Sequence, residues 1–265
     1  MARSNIHPTS VVGNQVVIAD DVTIGPFCFL EGKISIGKGT KLHSHCVLKG
    51  NLEIGENNEF FQFSSIGEEP QDLSYKGEET WVKIGDNNTF REYVSVHRGT
   101  LKQDKVTIIG SNNLLMAHTH VGHDCTIGNN CIFVNSVKLA GHVVIGNNVT
   151  ISGGSAVKQF AKLGDNVYTG ATAMIDRDIP SFCLTLGNRA YLKGINIIGL
   201  KRAGFSRSHI SEAVDFFRSV ELSSYSPKHF VQDEEMMESF KDNPIVTKMA
   251  SEIMESTSGI ASFSK

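Results

Sequence analysis

The first two thirds of the chain repeat a pair formed by an aliphatic residue and a glycine. The pairs are Ile24-Gly25, Ile36-Gly37, Ile54-Gly55, Ile66-Gly67, Ile84-Gly85, Ile109-Gly110, Ile127-Gly128, Ile145-Gly146 and Leu163-Gly164. Their spacings are 12, 18, 12, 18, 25, 18, 18 and 18 residues, so all but one are multiples of six. This period predicts a hexapeptide β-helix, in which the aliphatic side chain points inward and three hexapeptides form an 18-residue coil.

Asparagine pairs follow many of these glycines, at positions 57–58, 87–88, 112–113, 129–130 and 147–148. Glycine and asparagine tolerate the positive φ angles that a chain needs where it turns between strands, so we interpret the pairs as corner residues rather than ligands. Residues 1–190 would then form roughly ten coils at ~4.8 Å spacing, a prism about 50 Å long. Because side chains fill its interior, functional residues are expected on its outside.

Two polar segments interrupt the repeat. Residues 68–80, EEPQDLSYKGEET, lack an inward aliphatic rhythm. The sequence HRGTLKQDKV follows Val96 within the 25-residue spacing, which exceeds a multiple of six by one. We predict that both segments form loops outside the prism, and such loops carry function more often than their scaffold does.

The six-residue period stops after Asn188, and helical spacing begins. Ser206 is a candidate N-cap. The apolar residues of the helix that it would begin recur at helical spacing, at Ile210, Ala213, Val214, Phe217 and Val220. Pro227 and Pro244 mark two further candidate helices. The sequence therefore predicts a mainly β chain, with a β-helix domain over residues 1–190 and a small α-helical domain over residues 191–265.

Composition narrows the functional classes. The formal net charge is -3 and the isoelectric point is about 6.4, which argues against nucleic-acid binding over a broad basic surface. The longest apolar runs span only a few residues, so no integral membrane segment is expected. The N-terminal MARSNIHPTS lacks the apolar region of a signal peptide, and the five cysteines form no C-x-x-C pair. We therefore expect a cytoplasmic protein with reduced thiols.

The stretch MAHTHVGHDC, residues 116–125, places His118, His120 and His123 within six residues, followed by Cys125. A Cys-His nucleophile is one interpretation, but a free cysteine is usually a small buried hydrophobic residue. A zinc site is another, because the γ class of carbonic anhydrases also has hexapeptide coils and two ligands five residues apart. That pattern needs a third histidine two coils before His118, where an 18-residue period places Val82. We therefore expect no bound metal.

General-base catalysis by His123 is the interpretation that we favour. An imidazole ordinarily has a pKa near neutrality, which suits removal of a proton from a hydroxyl group. The 18-residue period places Gly141 one coil after His123, and His142 one coil after Asp124. A thioester donor is already activated, so a base and an oxyanion donor suffice without a serine or cysteine nucleophile. The alternative is that His118 and His123 have no catalytic role and only occupy a turn or a subunit interface.

Five motifs occur in the order QDLSYKGE, VHRGT, NLLMAHTHVGHDC, LAGHVVIG and GNRAYLKGINIIGLKRAGFS. Together they resemble the UDP-N-acetylglucosamine O-acyltransferases of lipid A biosynthesis, over essentially the whole chain. The resemblance implies a left-handed parallel β-helix, an exception to the right-handed crossover rule, assembled as a homotrimer with active sites between subunits. It also implies transfer of a 3-hydroxyacyl group from acyl carrier protein to the 3-position of the UDP-amino sugar, without a cofactor, in the Gram-negative cytoplasm.

The resemblance also implies roles for individual residues. His123 would be the catalytic base, Asp124 would orient or polarise its imidazole, and the Gly141 amide would donate to the oxyanion. Contacts to the sugar nucleotide are implied for Gln71, Asp72, His120, His142, Gln159, Asn196 and Arg202. Two of these have structural alternatives, because Asp72 could cap a turn and Arg202 could be a solvated charge.

Several positions depart from the pattern of that family. They are Ser74 in place of Lys, Lys158 in place of His, Ala171 in place of Gly, Ile198 in place of Glu and Ala203 in place of Arg. A lysine adds a point charge that could bind phosphate or the carrier protein. Ala171 and Tyr168 could shorten or redirect the acyl channel, so we expect a chain-length preference different from that of a member with two glycines.

Other functions fit parts of the sequence. A related hexapeptide acyltransferase could use another UDP-amino sugar with an amino acceptor, since the same base would serve. The later N-acyltransferase of the pathway normally has an extra N-terminal uridine-binding domain, whereas this repeat begins almost at once. A zinc enzyme would differ from an acyltransferase of this kind in depending on a metal ion. A noncatalytic scaffold would differ in keeping its function when His123 is replaced with alanine. The basic residues Lys201, Arg202 and Arg207 could attract an acidic carrier protein or form a solvated face.

Overall fold

The computed structural model describes residues 4–263. The strands are β1 (Asn5–Ile6), β2 (Val11–Val12), β3 (Val16–Ile18), β4 (Thr23–Ile24), β5 (Phe29–Glu31), β6 (Ile34–Ile36), β7 (Lys41–Leu42), β8 (Val47–Lys49), β9 (Asn51–Ile54), β10 (Glu59–Phe60), β11 (Ser65–Glu68), β12 (Trp81–Ile84), β13 (Thr89–Phe90), β14 (Ser95–His97), β15 (Val106–Ile109), β16 (Leu114–Leu115), β17 (His120–Val121), β18 (Thr126–Ile127), β19 (Ile132–Phe133), β20 (Lys138–Leu139), β21 (Val144–Ile145), β22 (Thr150–Ile151), β23 (Ala156–Val157), β24 (Lys162–Leu163), β25 (Tyr168–Thr169), β26 (Met174–Ile175), β27 (Cys183–Leu186) and β28 (Tyr191–Ile195). The helices are α1 (Ile197–Arg202), α2 (Arg207–Leu222), α3 (Pro227–Gln232), α4 (Glu234–Met237) and α5 (Pro244–Glu255). The predicted domains 1–190 and 191–265 include residues 1–3 and 264–265, which lie outside the described residues, and the division at residue 190 stays a prediction.

The strands form three sheets that wrap into a triangular prism. Sheet A has the order β1-β4-β7-β10-β13-β16-β19-β22-β25-β27-β28, sheet B the order β2-β5-β8-β11-β14-β17-β20-β23-β26, and sheet C the order β24-β21-β18-β15-β12-β9-β6-β3. As far as β26, hydrogen-bonded neighbours lie three strands apart in the chain, so each coil visits the three faces in turn. Among the described strands, only the β27–β28 pair is antiparallel. The fold is the left-handed parallel β-helix with C-terminal helices that the sequence predicts.

Two coils are longer than 18 residues. In sheet C, Ile36 pairs with Ile54 at the regular spacing, but Ile54 pairs with Ile84 and Ile84 with Ile109. These two coils are twelve and seven residues longer than the regular one. The additional residues form the two predicted loops, loop 1 (residues 69–80) between β11 and β12, and loop 2 (residues 98–105) between β14 and β15. The 25-residue spacing is therefore one 18-residue coil plus a seven-residue insertion, which agrees with the predicted loop.

The longer coils change which residues lie beneath His118. Its ring stacks on Tyr93 with 4.8 Å between ring centroids, and Tyr93 stacks on Phe63 at 5.1 Å. Phe63, not Val82, is therefore two coils before His118, and Val82 is buried inside the prism. The 18-residue arithmetic fails here because loops 1 and 2 intervene. Neither position supplies the third histidine of the zinc pattern.

Asparagines form the corners, as the sequence predicts. Positive φ angles occur at Asn57, Asn87, Asn112, Asn130 and Asn148. Next to the first three, Asn58, Asn88 and Asn113 are buried. The Asn58 amide oxygen accepts from Asn88 N at 2.9 Å, and the Asn88 amide oxygen accepts from Asn113 N at 2.9 Å. This ladder pairs polar groups inside the prism that would otherwise be buried without partners.

Aliphatic and aromatic side chains fill the prism. Phe60, Phe90 and Phe133 are fully buried, and the first two stack with 4.6 Å between ring centroids. All five cysteines are buried free thiols. Burial raises the pKa of the Cys125 thiol to about 12, so little of the nucleophilic thiolate exists at neutral pH. The interpretation of Cys125 as a buried hydrophobic residue is confirmed.

The helices begin where the sequence predicts. Ser206 is the N-cap of α2, and Pro227 and Pro244 are the first residues of α3 and α5. Helix α5 is attached to the end of the prism, where the Glu252 carboxylate accepts the backbone N–H and the hydroxyl of Ser181, both at 2.6 Å. No helix within residues 4–263 combines the length and the apolar character needed to cross a membrane.

Candidate active site

His123 lies at a corner of the prism between β17 and β18. The chain turns at Asp124, which has a φ angle of 59°. The next residue, Cys125, is buried in the core. The Asp124 side chain is completely buried and contacts Thr100 of loop 2, whereas the His123 side chain keeps 14% of its surface exposed. The turn therefore presents the histidine at the surface and its acidic neighbour beneath it.

The buried Asp124 carboxylate accepts three hydrogen bonds. Its Oδ1 accepts from Thr100 N at 2.8 Å, and its Oδ2 accepts from Thr100 Oγ1 at 2.7 Å and from His123 Nδ1 at 2.8 Å. Burial alone would raise the pKa of Asp124, but the hydrogen bonds from His123 and Thr100 outweigh it and hold that pKa below its ordinary value. An ionised carboxylate only accepts, so His123 Nδ1 carries the proton. In the neutral imidazole, Nε2 is then left with a lone pair that can take one.

His142 packs against this pair from the next coil. Its ring meets the edge of His123 with 5.0 Å between centroids and stacks on Phe160 at 4.5 Å. Its Nδ1 lies 2.9 Å from Gln103 Oε1, and its Nε2 lies 3.8 Å from Asp124 Oδ2. Burial lowers the pKa of His142, which favours the uncharged ring beside His123.

Gly141 leaves space beside the His123 ring. A Cβ at position 141 would lie 2.5 Å from His123 Cε1 and 2.7 Å from its Nε2. Within residues 4–263, no acceptor pairs with the Gly141 N–H. Gly122, one coil earlier, leaves this amide uncovered, because a Cβ there would lie 2.9 Å from Gly141 N. An unpaired backbone donor and a proton-accepting imidazole thus lie close together, which is the combination that acyl transfer requires.

His120 lies on β17, on the face next to His123. Its Nδ1 is 2.8 Å from Ser95 Oγ, and its ring meets the edge of His97 at 5.2 Å between centroids. Burial is the main cause that lowers the pKa of His120 to about 4, and burial also lowers the pKa of His97. Because a carbonyl only accepts, His97 Nδ1 donates to Glu69 O at 2.5 Å. At neutral pH this face presents uncharged imidazoles rather than cations.

Loop 1 and loop 2 are joined beside this face. Lys102 Nζ lies 2.5 Å from Asp72 Oδ2, and its ammonium group holds the pKa of Asp72 well below its usual range. Asp72 Oδ1 accepts from the backbone N–H of Ser74 at 2.8 Å and from its hydroxyl at 2.7 Å. Arg98 donates to the Tyr75 hydroxyl at 3.2 and 3.0 Å, which anchors loop 1. Asp72 therefore caps a turn, the structural alternative considered for it, while it also receives a lysine from loop 2.

The residues that the sequence predicts for the site do not all lie near His123. The predicted residues that surround His123 are His120, Asp124, Gly141 and His142. Gln159 is exposed one coil beyond Gly141, and Gln71 is exposed in loop 1. Both side chains are accessible to a ligand.

Asn196 and Arg202 are not brought to the cluster within one chain. Asn196 is the N-cap of α1, where its Oδ1 accepts from Gly199 N at 2.9 Å and its Nδ2 donates to Asn166 O at 2.9 Å. Asn166 lies at the corner between β24 and β25, on a different edge of the prism from His123. Arg202 is exposed in the last turn of the same helix.

Within residues 4–263, one group of potential metal ligands has its ligand atoms within 4.8 Å of one another, namely His123, Asp124 and His142. Asp124 Oδ2 already accepts two hydrogen bonds. With aromatic residues below His118, this group does not reproduce the three-histidine pattern of the γ carbonic anhydrases.

Known proteins are similar to this chain in sequence and in fold. The family model described as UDP N-acetylglucosamine O-acyltransferase, domain 2, matches residues 178–261, and a bacterial transferase hexapeptide model matches residues 107–141. LpxA from Acinetobacter baumannii is 41% identical, with 97% of this chain and 99% of that chain covered and a TM-score of 0.91. The UDP-N-acetylglucosamine O-acyltransferase of Moraxella catarrhalis is 37% identical (97% and 99% covered, TM-score 0.92), and the UDP-N-acetylglucosamine acyltransferase of Francisella novicida is 35% identical (97% and 94% covered, TM-score 0.90). The chain belongs to the UDP-N-acetylglucosamine O-acyltransferase family.

The positions at which this acyltransferase departs from the family pattern fall in three places. Ser74 is in loop 1, where it donates to Asp72. Lys158 and Ala171 are exposed on the prism. Ile198 lies within α1 with 65% of its surface exposed, and Ala203 is the C-cap of the same helix. None of these substitutions replaces His120, His123, Asp124, Gly141 or His142.

Three residues of loop 2 that contact the site are not evident from the sequence. They are Thr100, Lys102 and Gln103, which contact Asp124, Asp72 and His142 respectively. The sequence predicts a polar loop here, but it contains no periodicity that would indicate which side chains turn back toward the prism. The only available signal is the position of the threonine inside the VHRGT motif.

Proposed function

We propose that this acyltransferase moves a 3-hydroxyacyl group from acyl carrier protein to the 3-hydroxyl of UDP-N-acetylglucosamine in lipid A biosynthesis, with His123 as the general base. The family supports the acyltransferase activity on this sugar nucleotide. The observation that carries the assignment of the base is the position of His123, whose Nδ1 is held by Asp124 while its Nε2 lies beside Gly141. The Gly141 N–H has no acceptor within residues 4–263. We also infer a cytoplasmic location, where both substrates are made.

The proposed reaction needs no covalent enzyme intermediate. His123 Nε2 removes the proton of the sugar 3-hydroxyl as the oxygen attacks the thioester carbonyl carbon. The carbonyl oxygen becomes an oxyanion and accepts a hydrogen bond from the Gly141 N–H. The tetrahedral intermediate then collapses, the carbon–sulfur bond breaks, and the imidazolium returns its proton to the leaving thiolate. Asp124 stabilises the imidazolium between these two steps.

We infer that the enzyme works as a homotrimer with sites between subunits. Asn196 and Arg202 lie on a different edge of the prism from His123, so residues assigned to one ligand would meet only across two copies. Lys201, Arg202 and Arg207 are exposed and form no ion pair among the described side chains. This basic group supports docking of the acidic acyl carrier protein near α1.

The test of this function is transfer from 3-hydroxyacyl carrier proteins of several chain lengths to UDP-N-acetylglucosamine, followed by mass spectrometry of the product. We expect a single acyl group on the sugar 3-oxygen. Transfer only to the 3-amino analogue of the sugar would show that the acceptor is an amino group and not a hydroxyl group. No transfer to either acceptor would contradict the proposed function.

Replacing Ala171 with glycine is expected to shift the preferred acyl donor toward longer chains. Ala171 lies at the corner between β25 and β26, and Thr172 N donates to Gly153 O on the coil below. An acyl group running along sheet B from His123 would reach this level after about three coils, or roughly 14 Å. Removal of a methyl group there lengthens the available path. The donor series above measures the shift.

Ala19→Gly is the matched control for this prediction, because Ala19 lies near the other end of the prism. It should leave the donor preference unchanged. The same chain-length optimum in Ala171→Gly and in the wild type would contradict a role for Ala171 in limiting the acyl chain.

A further inference from the structure

We propose that Thr100 is a positioning residue that fixes Asp124 and, through it, the orientation of the His123 ring. Thr100 is 3% exposed, and its hydroxyl is occupied by Asp124 Oδ2 and by the backbone N–H of Lys102. Its role is therefore distinct from substrate binding. The inference rests on the proposed function, because it assumes that His123 is the base.

The geometry of Thr100 accounts for two of the three hydrogen bonds to Asp124. Its backbone N–H donates to Oδ1 at 2.8 Å and its hydroxyl donates to Oδ2 at 2.7 Å. The direction of the second bond follows from its surroundings, because a carboxylate only accepts and Lys102 N donates to the same hydroxyl oxygen at 3.2 Å. The hydroxyl proton is thus directed at the oxygen that also receives His123 Nδ1–H.

Loop 2 is held in place on both sides of Thr100. Gly99 N donates to Trp81 O at 3.3 Å, which ties the loop to β12. On the other side, Lys102 reaches Asp72 and Gln103 reaches His142. Because neighbouring residues are anchored to two different parts of the site, the threonine cannot follow a shifted Asp124, and so it defines where the carboxylate lies.

Loss of the hydroxyl should therefore act on the rate of the chemical step. Asp124 has no exposed side-chain surface, so water does not replace the missing donor readily. The carboxylate keeps one side-chain donor, His123, and gains freedom to rotate with it. A misplaced base lowers kcat, whereas the surfaces that contact the substrates remain as they were.

Thr100→Val removes this hydroxyl with little change in volume. We expect kcat to fall about tenfold, the effect of one hydrogen bond to a charged group, while KM for both substrates stays within about twofold. Thr100→Ser keeps the hydroxyl and should stay within about threefold of the wild-type kcat. Thr80→Val is the matched control, because Thr80 is fully buried and its hydroxyl has no hydrogen-bond partner within residues 4–263. Its kcat should equal that of the wild type.

A double-substitution cycle with Asp124→Ala separates positioning from a general structural effect. If Thr100 acts through Asp124, Thr100→Val should lower kcat no further in the Asp124→Ala background. An additive loss, a loss confined to KM, or wild-type kcat in Thr100→Val would each overturn the inference. If Thr100→Val does not assemble, Thr100→Ser and Thr100→Ala are compared in the same cycle. Wild type and His123→Ala are measured alongside, so an inactive wild type or an active His123→Ala identifies failure of the proposed function instead.

Discussion

Replacing His123 with alanine is expected to lower kcat for acyl transfer by about 10³-fold, within the range of general-base contributions. The reason is geometric as well as chemical. His123 is the imidazole with Nδ1 held by a buried carboxylate and Nε2 directed at the surface next to Gly141. Residual activity should remain, because substrate binding and the backbone donor are retained. The measurement is the initial rate at saturating concentrations of both substrates.

His43→Ala is the matched control for this loss. His43 is an exposed histidine paired with Glu59 at 2.9 Å on an early coil, so it tests the removal of an imidazole elsewhere on the same prism. Its kcat should be unchanged. Wild-type activity in His123→Ala would contradict the assignment of the base and would favour a scaffold role for the chain.

Chelation of divalent cations before the assay separates the base from a metal-dependent mechanism. If His123, Asp124 and His142 served as zinc ligands, chelation would abolish the wild-type rate and added zinc would restore it. We expect the wild-type rate to survive chelation. The two treatments together therefore distinguish loss of a base from loss of a ligand.

The β-helix could be predicted because its determinants are local. Ile127 points inward and Asn130 forms a corner, and residues of the same kinds take these two positions again in other hexapeptides. Loops 1 and 2 are inserted between hexapeptides and do not follow the repeat. The period of the sequence therefore does not indicate how many residues each loop adds to its coil. For this reason an 18-residue period places Val82 two coils before His118, whereas the structure has Phe63 there, with Tyr93 between Phe63 and His118.

The centre of the site was predictable for the same reason. Gly141 follows His123 by one uninterrupted coil, so counting residues places them together correctly. Thr100 and Asp124 are 24 residues apart with part of loop 2 between them, so their contact depends on the path of that loop. Asn196 illustrates another limit, because its side chain caps α1, which becomes evident only when the start of the helix is known.

Replacing Gly141 with alanine is expected to lower kcat by about 10²-fold, the effect of misplacing a reacting group by about 1 Å. The φ angle of Gly141 lies outside the left-handed range, so alanine can adopt its backbone conformation and retains the N–H donor. The new Cβ, however, would lie 2.5 Å from His123 Cε1 and 2.7 Å from Nε2. The ring is a partly exposed side chain and the backbone is fixed between coils, so the ring must move. Its hydrogen bond to Asp124 is then lost or distorted.

Gly141→Ala displaces the His123 imidazole, whereas His123→Ala removes it, so the two variants test the position and the presence of the base separately. Gly13→Ala is the control, because its Cβ would meet Leu30 O at 3.2 Å and Glu31 Cα at 3.6 Å, near the other end of the prism. We expect similar melting temperatures for both variants and a loss of kcat only in Gly141→Ala. A wild-type kcat in Gly141→Ala would contradict the arrangement of imidazole and backbone amide proposed here, since a base that tolerates an atom at this position cannot be using the space beside Nε2 for the reacting carbonyl.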